Sequence, residues 1–400
     1  MLPDLPAVGV RFLANPKLER SAPYGLGEQW ILSHAYHRDV FAEISSWPDY
    51  AVTPLYDLVG LAAQARLGRL LYKDESQRFE VGNFKALGGA YGVLRWIQHE
   101  VERLTGVGGV TARDVLGGAH RDIAAGITVT CATDGNHGRA VAWGARMFGC
   151  RAVVYLPAAA SHEREEAIAA FGAEIVRTHG SYDEAVRQAQ ADARRNEWFV
   201  VSDTSYEAYV NIPRDIMQGY TVMVREILDQ LPDGVPPTHV FLQGGVGGFA
   251  AAVVGHLWEG MGAERPTAIV VEPERADCLF QSAAAGQRAS ITDVHGTALD
   301  ALACGEVSRL AWFLLERGTD AFMTIPDDAA LHAVELLRRN DPPISAGPSG
   351  AAGLAGMLCA AENETLRTAL GLGGSSIVLV IGTERNPSGN ARFPRQPLEE

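Results

Sequence analysis

The sequence predicts an α/β protein of the doubly wound class, with mostly parallel strands divided between two sheets. Three observations lead there. From about residue 70 onward, short runs rich in β-branched and apolar residues alternate with longer helix-like stretches. The short runs are apolar throughout rather than alternating, as parallel strands covered on both faces should be. Many of the 43 glycines directly follow such a run, where ligand-binding turns are built. The candidate strands are LLYK (70–73), ITVTC (127–131), AVVYL (152–156), EIVRT (174–178), WFVVS (198–202), HVFLQ (239–243), AIVVE (268–272), FMTI (322–325) and IVLVIG (377–382). Between them lie helical patterns such as ALGGAYGVLRWIQHEVERL, HGRAVAWGARMFG and a long stretch starting near Tyr206. The segment LPDGVPPTH (231–239) reads as a break between two halves, and the first 69 residues read as irregular chain packed on a domain.

Composition excludes several classes. The chain has 400 residues, enough for two domains, with 47% hydrophobic and 20% charged residues. A net charge of -14 argues against nucleic-acid binding, which would show a basic patch. No apolar run reaches the roughly 18 residues of a membrane span, and no signal peptide is visible. Five cysteines without a CxxC pair fit a reducing cytoplasm; no metal site is expected, and Cys278 and Cys304 are expected as unpaired thiols.

Only three of the 34 basic residues are lysine: Lys17, Lys73 and Lys85. Lysine differs from arginine in that its amine can lose a proton and attack a carbonyl. Each lysine is therefore either a chance survivor of a codon bias or a candidate for chemistry. Lys17 reads as solvated, and Lys73 equally as one half of an ion pair with Asp74 or Glu75 or as a cofactor contact. Lys85 stands apart because three loops could share a ligand with it. In doubly wound folds, ligands sit at the carboxyl ends of strands. TDGNHGRA (133–140) crowds Asp134, Gly135, Asn136 and His137 into one helix start, more polar groups than capping needs. QGGVGGF (243–249) frees the N–H groups of Gly244, Gly245, Val246, Gly247 and Gly248 to converge on an anion, with no P-loop lysine. IGTERNPSG (381–389) places Thr383 at a strand end, where a hydroxyl can meet a ring nitrogen. An amine nucleophile, a glycine phosphate cup and a polar turn together fit a cofactor carrying an aldehyde and a phosphate, pyridoxal 5'-phosphate. The rival reading takes Gly245 to Ala250 as G-x-G-x-x-A, with Glu272 as the ribose contact of a nicotinamide cofactor; it leaves Lys85 and the DGNHG turn without a task.

YKDESQRFEVGNFKALGGAYGV, ATDGNHGRAVAWGARMFG, SDTSYEAY and QGGVGGFAAAV, in this order, resemble the fold-type II (tryptophan-synthase-β-like) pyridoxal-phosphate enzymes, and among them the diaminopropionate ammonia-lyase family. The resemblance runs from about residue 50 to 383. It implies two doubly wound domains with the cofactor in the cleft between them, residues 1–88 and 226–400 forming the larger and 89–225 the smaller. It implies a homodimer acting on a small amino acid, 2,3-diaminopropionate, to give pyruvate and ammonia. Lys85 would hold the cofactor, residues 244–248 its phosphate and Asn136 its ring oxygen, with Thr383 opposite the ring nitrogen. Asp134 and Asp203 match the family's active-site acids, and Asp134, Gly135 and His137 would meet substrate. Related serine and threonine dehydratases usually carry Ser where Asp134 stands, and a carboxylate there suits a substrate with an extra ammonium. Lys85 would then serve the L isomer as base and Asp134 the D isomer. Asp203 would otherwise be a cap for the helix expected near Tyr206. Two departures bear on substrate choice: Arg385 near the cofactor ring, and Pro348 in SAGPSGAAG (345–353) where the family carries an acid. The competing functions are a hydroxyamino-acid ammonia-lyase and a β-replacement synthase on the same scaffold, then an oxidoreductase, then a pyridoxal-phosphate-binding protein without activity.

Overall fold

Each of the nine apolar runs forms a strand, and two further strands come from the N-terminal region. The computed structural model describes residues 9–386 apart from positions 134, 181, 293 and 295. The strands are β1 (Arg11–Ala14), β2 (Leu55–Asp57), β3 (Arg69–Asp74), β4 (Thr128–Ala132), β5 (Arg151–Leu156), β6 (Glu174–Arg177), β7 (Phe199–Val200), β8 (His239–Gln243), β9 (Thr267–Pro273), β10 (Ala321–Ile325) and β11 (Ile377–Gly382). They make a seven-stranded sheet, β1-β10-β9-β8-β11-β3-β2, and a four-stranded sheet, β6-β5-β4-β7. The central pairings are parallel, and only the edges β1 and β2 run antiparallel. Those edge strands were not expected. They have four and three residues with half-exposed faces, so no continuous apolar run marks them. Every residue of β8 and β10, by contrast, is buried. The N-terminal region also holds helices Leu26–Ile31, His34–Ser45 and Val59–Gln64 rather than irregular chain. Among the described residues, no helix is long and apolar enough to cross a membrane.

Three helices link the sheets. Helix Lys85–Thr105 lies against helix Asn136–Phe148 and helix Asn211–Gln230 at close to backbone contact. A methyl group on Gly88 would come within 2.7 Å of the Ile216 carbonyl, one on Gly144 within 2.6 Å of the Ala90 Cα, and one on Gly89 within 2.9 Å of the Ala140 Cβ. Glycine at these crossings lets the three helices approach one another this closely. Helix Asn211–Gln230 starts five residues later than the sequence pattern suggests. Residues 206 to 209 instead form a tight bridge, and the Tyr209 hydroxyl donates to the Val200 carbonyl at 2.9 Å.

A fully buried ion network anchors the chain just before Lys85. Lys73 Nζ donates to the Thr53 carbonyl (2.7 Å), Glu226 (2.8 Å) and Gln230 (2.7 Å), and Arg78 donates to both Glu75 and Glu226. Asp74 and Glu75 were the partners expected for Lys73; Glu226 takes the role. Neighbouring side chains on a strand point to opposite faces. Asp74 caps the Ser76 N–H instead, and Glu75 turns to Arg78. Lys17, expected to be solvated, reaches Glu316 at 2.7 Å. Burial pushes the Glu226 carboxyl up, but Arg78 and Lys73 outweigh it and hold the group below the usual carboxylate range. Glu226→Ala would leave the buried Lys73 without its anion and Arg78 with Glu75 alone. The expected loss is about 3–5 kcal/mol, seen as a lower urea midpoint; a midpoint matching the parent chain would show that the network adds no stability.

Candidate active site

The loops leaving the carboxyl ends of β3, β4, β7, β8 and β11 converge. Gly382 pairs with Asp74 in register, so the β11 and β3 loops begin side by side. Phe84 N–H donates to the Thr383 carbonyl (3.0 Å), which fixes the turn that delivers Lys85. In the small sheet, the Thr133 hydroxyl accepts from the N–H groups of Gly135 (3.0 Å) and Gly138 (3.1 Å) and shapes the turn before helix Asn136–Phe148. Asp134 lies outside the described residues.

Lys85 is the centre of the arrangement. Its Nζ forms an ion pair with Asp203, from the loop after β7, and stands 5.3 Å from the ring centroid of Phe84 and 6.0 Å from that of Tyr220. Asp203 therefore faces the amine and caps no helix. Burial opposes the Lys85 charge, but Asp203 outweighs it and raises the amine above its ordinary value; the same contact, against the same burial, drives the Asp203 carboxyl down. His137 is buried, with Nε2 2.8 Å from the Val201 carbonyl and Nδ1 3.8 Å from Asp203. A carbonyl only accepts, so Nε2 carries the hydrogen and Nδ1 is bare in the neutral ring. Burial pushes the imidazole down and keeps it neutral. Its Nδ1 has no hydrogen-bond partner.

The glycine loop after β8 forms a cradle. Gly247 has φ of +94°, in the region that favours glycine, and a Cβ at Gly244 would come within 2.8 Å of both Leu279 and Val270. The Gly244 N–H donates to the Val271 carbonyl (2.8 Å), so Gly244 contributes clearance rather than a donor. Helix Gly248–Met261 starts without a side-chain cap. Its first-turn N–H groups have no intrahelical acceptors and are placed for an anion. Cys278 and Cys304 lie beside this loop, Cys278 Sγ 3.6 Å from the Gly245 carbonyl and Cys304 Sγ within 3.2 Å of where a Cβ at Gly245 would stand. The nicotinamide reading fails at Glu272. That carboxylate is fully buried and accepts from the N–H groups of Leu279 (2.8 Å) and Phe280 (2.7 Å), out of reach of any ribose.

At the end of β11, Gln243 Nε2 shares its two hydrogens among the carbonyls of Ile381 (2.8 Å) and Gly350 (3.1 Å) and Thr383 Oγ1 (2.8 Å). Because the two carbonyls only accept, the amide orientation is fixed, and the Thr383 hydroxyl keeps its own hydrogen for another acceptor. Arg385 is exposed and donates to the Ser76 carbonyl. An amine poised beside a carboxylate, an uncapped glycine cradle and a neutral hydroxyl donor fit the aldehyde, phosphate and ring nitrogen of pyridoxal phosphate. The family described as "Pyridoxal-phosphate dependent enzyme" matches residues 47–383. Similar curated proteins include the diaminopropionate ammonia-lyase of Escherichia coli, 38% identical over 84% of each chain. That of Salmonella typhimurium is 36% identical over 92% of this chain and 94% of its own.

The chain belongs to the diaminopropionate ammonia-lyase family.

A crystal structure of the Escherichia coli diaminopropionate ammonia-lyase with an aminoacrylate–pyridoxal-phosphate azomethine superposes with a TM-score of 0.83 at 32% identity, covering 95% of this chain and 94% of that one. It shares the fold-type II architecture. Two participants in this family member's site were not singled out from sequence. Asn83 accepts from the Lys85 N–H (3.0 Å) and donates to Asn136 Oδ1 (3.2 Å). Glu384 accepts from Asn136 Nδ2. Asn83 lies inside a motif that was noticed, NFK, but nothing local distinguishes it from a turn residue.

Asp203→Asn removes the anion that holds Lys85 as an ammonium. With the main group that opposes burial gone, the amine should titrate lower than in the parent chain. In cofactor-free protein at mildly alkaline pH, Lys85 should then acylate faster, as measured by peptide mass spectrometry. Equal labelling in the two proteins would mean that Asp203 does not control this proton.

Proposed function

We propose that this chain converts 2,3-diaminopropionate and water into pyruvate and two molecules of ammonia by α,β-elimination. The observation that carries the reading is the Lys85–Asp203 pair facing the glycine cradle, in a chain whose relatives are named for this reaction. When bound, pyridoxal phosphate supplies the electron sink for the negative charge left at the α-carbon.

In this reading Lys85 anchors the cofactor and, once released, removes the α-proton from one face. Asp203, in contact with Nζ, keeps a proton available there for the departing amine. Asp134, placed by sequence in the turn before Asn136, attracts the substrate's second ammonium and takes the α-proton of the opposite isomer. Gly245, Val246, Gly247 and Gly248 donate N–H groups to the phosphate, and Gly244 gives it room. Thr383 offers its hydroxyl hydrogen to an unprotonated ring nitrogen, a weaker sink that suits prompt loss of a β leaving group. Gly135 and His137 line the substrate side, with the neutral imidazole setting the turn rather than carrying charge. We also infer a homodimer of two lobes, 1–88 with 226–400 and 89–225, working in a reducing cytoplasm.

A second reading, loss of water from a hydroxyamino acid, is favoured by the probable D-serine dehydratase of Pseudomonas paraeruginosa, 28% identical over 72% of this chain and 66% of its own. One assay separates them. Two ammonia per pyruvate from diaminopropionate, with little turnover of serine or threonine, is expected; turnover of the hydroxyamino acids alone would move the function to a dehydratase. For the division of labour between bases, Asp134→Asn should lower kcat/KM on the D isomer by roughly a hundredfold and leave the L isomer within a few-fold. Equal losses on both isomers would refute it.

A further inference from the structure

Glu384 bonds to loops from both sheets at once. Its backbone bridges to Asn83, and its carbonyl accepts from the Gly347 N–H at 3.2 Å. Its side chain is buried and framed by glycines: a Cβ at Gly350 would come within 2.9 Å of its Cγ, and one at Gly347 would collide with its carboxylate. Burial pushes the Glu384 carboxyl up, and the Asn136 amide and the N–H groups of Gly350 and Ser349, which face it, work against that shift. SAGPSGAAG, which carries Pro348 where an acid was expected, thus receives a carboxylate from the facing strand end instead.

The carboxylate then meets the small sheet. Asn136 Nδ2 donates to Glu384 Oε2, while Asn136 Oδ1 accepts from Asn83 Nδ2. Asn83 Oδ1 in turn accepts from the Lys85 N–H. Ionised, a carboxylate only accepts, so it can bind the nitrogen end of the Asn136 amide and not the oxygen end. With the oxygen held by Asn83 and one Nδ2 hydrogen held by Glu384, the amide is fixed against flipping. One Nδ2 hydrogen is left for an acceptor in the site.

We propose that Glu384 is a positioning residue for cofactor binding: it sets the orientation of the Asn136 amide and so aims its remaining hydrogen at an oxygen of the cofactor. This rests on the reading of Asn136 as a cofactor contact. Glu384 also ties the start of helix Asn136–Phe148 to the end of β11, so the orientation holds only when the two sheets keep their spacing.

The test uses the full chain stripped of cofactor and titrated with pyridoxal phosphate, with the visible band and its circular dichroism as readouts beside Kd. Glu384→Ala should raise Kd roughly tenfold, the scale of one hydrogen bond to a charged group, and change the dichroism. Glu384→Asp keeps the charge but withdraws it from Asn136, and should behave like Glu384→Ala. Glu384→Gln, whose amide oxygen can still accept from Asn136, should recover most of the affinity. Adding Glu384→Ala to Asn136→Ala should weaken binding no further than Asn136→Ala alone. If Asn136→Ala weakens binding while Glu384→Asp and Glu384→Ala bind as the parent does, the role of Glu384 is wrong and the Asn136 reading stands. If Asn136→Ala binds unchanged, both are wrong.

Discussion

The near-contact of backbones where helix Lys85–Thr105 crosses its two neighbours is the constraint on which the site depends. The helix opens at the reactive amine, so its placement is the placement of Lys85. Glycines on both sides of each crossing remove the side chains that would hold the helices apart: Gly89 and Gly144 on one side, Gly88 and Gly219 on the other. Interiors this tightly packed do not deform smoothly. A shift of helix Asn136–Phe148 is therefore transmitted to Lys85, and one of helix Asn211–Gln230 likewise. The ion network of Lys73, Arg78, Glu75 and Glu226 pins the same helix from the opposite direction, because Glu226 belongs to helix Asn211–Gln230 while Lys73 and Arg78 precede the Lys85 turn.

Electrostatically the site gives its charged groups partners from other elements, an opposite charge for the lysine and an amide for the glutamate. Lys85, at the head of its helix, meets Asp203 from the loop after β7. Glu384, at the end of the large sheet, meets Asn136 from the small one. His137 remains neutral between them because burial penalises its charged form. The Lys85–Asp203 ion pair thus sits in a molecule that is strongly acidic overall, and the amine's behaviour is set by its immediate neighbours rather than by the net charge of -14.

Much of this was legible in the sequence, for identifiable reasons. The strands inside each sheet announced themselves because a strand buried on both faces must be apolar at every position, and β6 and β7, at the edges of the small sheet, still carry short apolar cores. Lys85 and the glycine loop were legible because their chemistry is local: a scarce lysine and an unusual density of glycine need no distant partner to be noticed. What escaped depends on partners far along the chain. Glu226 lies 153 residues from Lys73, and a glutamate after a strand, as at 384, looks like any other until the fold encloses it. The late start of helix Asn211–Gln230 was hidden because Tyr206 and Tyr209 fit a helical pattern, yet the Tyr209 hydroxyl is held by the Val200 carbonyl. The edge strands β1 and β2 were missed because half-covered strands need no apolar run.

The scarcity of lysine has a further consequence once the three are placed. Lys73 is enclosed, and its three N–H donors are matched one to one by a carbonyl, a carboxylate and an amide oxygen, a fit that the flat fork of arginine would not reproduce. Lys17 is held by Glu316 and the Gly286 carbonyl. Every other basic side chain is an arginine, which stays protonated and forms no imine under ordinary conditions. A free aldehyde diffusing over this protein therefore meets almost no competing side-chain amines before it reaches Lys85. The composition acts as chemical selectivity: apart from Lys85, only Lys17 offers a lysine amine at the surface.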